Sequence, residues 1–132
     1  MVRDLVGTTT YANELDFDVQ KCLKFFVYLN DMTANNGDFE YVPGTHKWVE
    51  NLRRSDRASE NTFENRELSR QLPYQEEDIR AIEVPAGTLF IFDTDMFHRT
   101  GTTSVGERRI MKGHTYFDEV RDPDPIYART IK

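Results

Sequence analysis

Two short patterns in this sequence carry residue types that do chemistry. In NELDFD, Glu14, Asp16 and Asp18 fall at every second position, so on a strand the three carboxylates share one face. In FDTDMFHRTGTTSVGERR, His98 closes an apolar run and Arg109 follows eleven residues later. Carboxylates in a row are costly to bury unless something positive sits among them. A carboxylate from an early strand and an imidazole from a late strand, meeting across a barrel mouth, would make a facial site suited to Fe(II). Arg109 on the next strand would then hold a carboxylate-bearing cosubstrate through a bidentate pair. The plain alternative is a solvated acidic strand, a histidine capping a strand end, and surface arginines.

Such a site needs strands to position it, and the chain supplies them. Residues 8–18 alternate loosely and predict a strand. CLKFFVYLN, residues 22–30, is rich in aromatic and β-branched residues and predicts another. Residues 31–38, DMTANNGD, are dense in turn formers, with Gly37 expected at positive φ. FEYV, residues 39–42, is a short strand ended by Pro43-Gly44. Residues 45–80 carry the densest charge at near-helical spacing. They predict one or two short helices in a surface excursion, with Asn61 or Thr62 as an N-cap and Pro73 as a stop. AIEV (81–84), TLFIF (88–92) and RRIMKGHTYF (108–117) complete the strands, and the tail with its two Asp-Pro steps is expected to run extended. Short strands parted by turn signals predict an all-β sandwich or open barrel.

The chain has 132 residues, which suits one domain spanning 1–132. It is 38% hydrophobic and 30% charged with net charge −6, a globular composition that disfavours nucleic-acid or membrane-surface binding. The lone Cys22 lies in an apolar run and is expected to be a buried thiol. With no secretory pattern and no apolar run near about 18 residues, the expected compartment is the cytoplasm.

Two blocks carry a family resemblance. LKFFVYLNDMTANNGDFEYVPGTHKW resembles the signature loop of the phytanoyl-CoA dioxygenase (PhyH) family, and PAGTLFIFDTDMFHRTGTTSVGERR resembles that family's second block. The resemblance implies a double-stranded β-helix (jelly roll, cupin-like) and an Fe(II)- and 2-oxoglutarate-dependent dioxygenase that hydroxylates a small organic or acyl substrate with O2. It makes His98 the distal histidine of a His-x-Asp…His triad. Arg109 becomes the residue that pairs the far carboxylate of 2-oxoglutarate, with Thr100 as a hydroxyl contact. Arg108, on the opposite face, is the lesser candidate.

The chain departs from the family pattern where His-x-Asp is expected, because NELDFD holds no histidine. One register aligns Glu14-Leu15-Asp16 with the motif and a second aligns Asp16-Phe17-Asp18, so Asp16 is a candidate ligand in both. The metal site would then have one histidine and two carboxylates, with Mn(II) or Mg(II) favoured beside Fe(II), or would hold no metal. The alternative function is a non-catalytic jelly-roll binding or scaffold relative. A third reading, a cupin-like sugar-binding or isomerase domain, lacks the closely spaced histidine pair. The chain also starts almost at the motif, which predicts an exposed sheet edge and a homodimer. His46 is read as bracing its turn, His114 as structural or surface, Trp48 and Tyr41 as core or rim, and Asp93 and Asp95 as loop braces or solvent-facing.

Overall fold

The computed structural model describes residues 2–5, 14–58, 62–71 and 74–116. Ten elements follow one another: β1 (Val2–Leu5), β2 (Cys22–Tyr28), β3 (Phe39–Tyr41), α1 (His46–Arg54), α2 (Thr62–Ser69), a 3-10 turn (Glu76–Asp78), β4 (Arg80–Ile82), β5 (Leu89–Asp93), β6 (His98–Thr100) and β7 (Glu107–Tyr116). The strands predicted at 22–30, 39–42, 81–84, 88–92 and 108–117 are present, and the excursion holds two short helices. Of the strand expected over 8–18, only residues 14–18 are described. There Asp16 forms a single antiparallel bridge to His98. The expectations for Asn61, Pro73 and the tail lie outside the described residues, as does the side chain of Thr62.

The strands form two antiparallel sheets. A large sheet has the order β1-β7-β2-β5, and a small one the order β4-β3-β6, which Asp16 extends by pairing with β6. In β2 the inner residues Cys22, Lys24, Phe26 and Tyr28 are buried and alternate with half-buried outer ones, as a strand with one face inward requires. Between the sheets Phe26, Tyr28, Met32, Phe39, Phe92 and Ile110 form one core. A second core lies on the other face of the small sheet. There Leu15, Phe17, Val42 and Phe97 pack against Val49 and Leu52 of α1. The alternation in ELDFD is thereby explained: Leu15 and Phe17 turn to α1, and the carboxylates turn away from it.

The excursion is tied back by charge. Arg53 of α1 donates to buried Asp95 (2.9 and 2.7 Å) and to the carbonyls of Asp18 and Val19. Asp95 therefore braces its loop, and Asp93 accepts from the Asp95 amide at 2.9 Å. Among the described residues no helix is long and apolar enough to cross a membrane.

Candidate functional site

The sheet register decides which side chains meet. His98 pairs with Tyr41 on one side and with Asp16 on the other, through amide–carbonyl bonds of 3.2 and 3.0 Å. Directly paired antiparallel residues project to the same face, so Asp16 and His98 share the inner face of the small sheet. The imidazole stacks on Phe39 (5.6 Å between ring centres, 17° between planes) and meets Phe92 edge-on at 5.0 Å. Its Nδ1 lies 2.7 Å from the Met96 carbonyl, which leaves Nε2 facing Asp18 Oδ1 at 3.5 Å. Burial lowers the His98 pKa, opposed by the Asp18 charge.

Both carboxylates also hold cations from the chain. Lys24, inward-facing and buried, reaches Asp18 Oδ2 at 2.5 Å. Arg66 of α2 donates to Asp16 Oδ2 at 3.0 Å. Burial raises the Asp16 pKa despite that bond. Glu14 is not part of this cluster: it is exposed and pairs with Arg70 at 3.1 Å and with Arg66 at 3.8 Å. The geometry thus gathers Asp16, Asp18 and His98 and leaves Glu14 at the rim. Among the described residues, no three His, Cys, Asp or Glu side chains are arranged to hold a metal ion.

The structure places Arg109, the preferred candidate, and Arg108 on opposite faces of β7. Arg109 projects from the outer face, with 46% of its side chain exposed, and pairs with Glu107 at 3.0 Å. Arg108 is the buried member, on the inner row of β7 with Ile110, and its Nη1 donates to Thr100 Oγ1 at 3.0 Å. The reason is register: Arg108 precedes buried Ile110 by two positions, and Arg109 shares its face with exposed Met111. Gly37, at φ +87°, lets the backbone lie against Arg108, since a Cβ there would stand 3.2 Å from Arg108 Cδ and 2.8 Å from Thr103 Oγ1.

Near Arg108 is Tyr28, fully buried, with a hydroxyl that has no hydrogen-bond partner. Burial pushes its pKa up to about 12, against the pull of Arg108. His114 is not a surface residue of the outer face. It pairs with Lys24 across the sheet and lines a cleft of about 350 Å³ with Asp16, Asp18, Gln20 and Cys22. His46 opens α1 at an exposed position. Lys24, Tyr28, Arg66 and Lys112 were not singled out by sequence reasoning. Only Lys24 left a signal there, as a charge at an inward position of an apolar strand.

The comparisons bear on this arrangement. No curated protein matches the chain. Among solved structures, apo HygX from Streptomyces hygroscopicus is 18% identical with a TM-score of 0.50, covering 84% of this chain and 53% of that one. HygX with iron bound is 16% identical with a TM-score of 0.49 over the same shares, 84% and 53%. HygX with nickel and 2-oxoglutarate bound is 24% identical with a TM-score of 0.44, covering 69% of this chain and 34% of that one. The chain therefore spans about half the length, or less, of the structures it matches, and the likeness shows the fold alone. The family model for phytanoyl-CoA dioxygenase (PhyH) matches residues 8–110, a span that takes in Asp16, Asp18, His98 and Arg108 together. Residues from both ends of that span meet between the two sheets, and the chain belongs to the phytanoyl-CoA dioxygenase family.

Proposed function

We propose that the chain is the double-stranded β-helix core of a 2-oxoglutarate-dependent oxygenase acting on a small organic molecule. The observation that carries the reading is buried Arg108, bonded to Thr100 and close to the orphan Tyr28 hydroxyl, on the same interior as His98. A buried guanidinium bonded to a hydroxyl suits the far carboxylate of a diacid. The donor kinds at the other end suit a divalent cation: two carboxylates and an imidazole whose Nδ1 is fixed by a backbone carbonyl. His98, Asp16 and Asp18 would hold such an ion once Asp18 parts from Lys24 and Asp16 from Arg66. When bound, the ion supplies the activation of O2 that is coupled to oxidative decarboxylation of 2-oxoglutarate.

The chain's own residues contribute position and exclusion of water. Arg108 and Thr100 fix one end of the diacid and so orient the other end toward His98. Phe26, Phe39 and Phe92 form the apolar core beside these groups, which strengthens each charge interaction near it. Burial disfavours the charged form of His98, and the neutral imidazole is the form in which Nε2 offers a lone pair.

The test is calorimetric titration of 2-oxoglutarate with and without Mn(II), followed by succinate formation with Fe(II) and O2. Binding that needs the metal, with turnover, supports the oxygenase. A second reading is favoured by the ion pairs of Lys24 and Arg66, which neutralise both carboxylates without any metal. On that reading the domain binds a diacid and catalyses nothing. It predicts metal-independent binding and no succinate. Absence of 2-oxoglutarate binding under every condition would sink both.

A further inference from the structure

The inner face of the large sheet carries several basic side chains. Lys24 and Tyr28 face inward from β2, and Arg108, Lys112 and His114 face inward from β7. Lys24 is matched by Asp18, and Arg108 is bonded to Thr100. Lys112 differs from both. Its ammonium sits over the Phe26 ring, 5.8 Å from the centroid, and among the described residues it has no ion pair. The charged groups that act on it include two cations, Lys24 and Arg108, and the carboxylate of Asp18, which Lys24 already holds. The side chain is open to solvent, although the strand directs it to the inner side. A lone exposed lysine needs no explanation. One held over an aromatic ring beside two other cations is complementary to an anion.

We infer that Lys112 binds an acidic group, carboxylate or phosphate, of the molecule that shares the cavity with the diacid, so that the substrate is a small anion. The inference rests on the oxygenase reading for what else occupies the cavity. Arg108 and Lys112 are four residues apart on one face, about 13 Å along the strand. That separation allows two anionic groups to be held at once, one by each residue.

The experiment titrates 2-oxoglutarate into the parent protein, Lys112→Met and Arg108→Met. Inorganic phosphate and acetate are then each titrated into the 2-oxoglutarate-saturated proteins. Lys112→Met is expected to leave 2-oxoglutarate affinity within about twofold and to weaken phosphate or acetate binding roughly tenfold or more. Which of the two anions responds separates the phosphate from the carboxylate class. Arg108→Met is expected to show the reverse pattern. The inference is overturned if neither anion binds the saturated parent, if both bind Lys112→Met unchanged, or if Lys112→Met loses 2-oxoglutarate as Arg108→Met does. If the parent fails to bind 2-oxoglutarate, the same two anions are titrated alone. Binding that depends on Lys112 would then retain the anion site while the cosubstrate reading fails.

Discussion

Arg108 and Arg109 are neighbours in β7, yet they lie in different surroundings. The first is 6% exposed and bonded between the two sheets, and the second pairs with Glu107 at the surface. The contrast runs across the whole large sheet. Its inner face combines aromatic rings with Lys24, Arg108 and His114, whereas its outer face shows Leu89, Ile91 and Met111 at 56%, 48% and 54% exposure. Basic side chains lie among the inner aromatic rings while large apolar side chains stand exposed outside, a placement that minimal burial cost alone would not give. On the proposed reading, an inner face that keeps costly cations is arranged for an anionic ligand, since a wall built only for stability would be aliphatic.

The largest expected effect sets adjacent residues of β5 against each other. Phe92 is buried and packs on Phe26, Phe39 and His98, so Phe92→Ala should cost about 3–5 kcal/mol. Half-exposed Ile91→Ala should cost about 1 kcal/mol or less, because its site is already open to solvent. Urea unfolding of the two variants checks this, and similar losses would erase the distinction between the faces.

The next effect is read with pH. Tyr28 titrates near 12 in the folded chain against 10 for the free phenol, mainly because it is buried. A group with a raised folded pKa contributes its full stability below its unfolded pKa. As pH rises from 10 toward 12 the unfolded chain ionises first, and roughly 3 kcal/mol of stability is lost at about 1.4 kcal/mol per unit. Phenolate absorbance followed against pH should show a tyrosine that ionises near 12. Tyr28→Phe should remove that ionisation and flatten the loss.

Much of this architecture is written locally. The apolar runs at 22–28 and 89–93, punctuated by Pro43-Gly44 and Pro85-Ala86-Gly87, mark their own strands. The approach of Asp16 to His98 follows from strand periodicity together with the family blocks. What β7 conceals is its facing. Ile110, Lys112 and His114 on one side and Met111, Gly113 and Thr115 on the other are equally mixed, so no hydrophobic period says which arginine turns inward. That choice is made by tertiary contacts: Thr100 on β6, and Gly37 in a loop some seventy residues upstream. The commitment of Asp16 to Arg66 was equally illegible, because α2 reaches the site only through the folded excursion.

The two arginines themselves sharpen the comparison at the level of binding. Arg108→Met should weaken 2-oxoglutarate by about ten- to a hundredfold, the loss of a charge-assisted pair in a buried setting. Arg109→Met should change affinity by less than about twofold, since its ion pair is solvated. Calorimetry on both variants checks the order. An equal effect would place the diacid elsewhere.

Tyr28→Phe gives the smallest and most diagnostic effect at neutral pH. The hydroxyl is buried with no partner, so it carries a desolvation cost that no hydrogen bond offsets. Removing it should stabilise the free protein by about 1 kcal/mol. If the hydroxyl waits for the carboxylate that Arg108 holds, the same substitution should weaken 2-oxoglutarate severalfold. Stability and affinity then move in opposite directions, which a residue kept only for packing would not produce. Thermal melting with and without 2-oxoglutarate reads both: the free melting temperature should rise and the ligand-induced increment should shrink. A rise in one with no change in the other would remove Tyr28 from the cradle and leave Arg108 and Thr100 to form it alone.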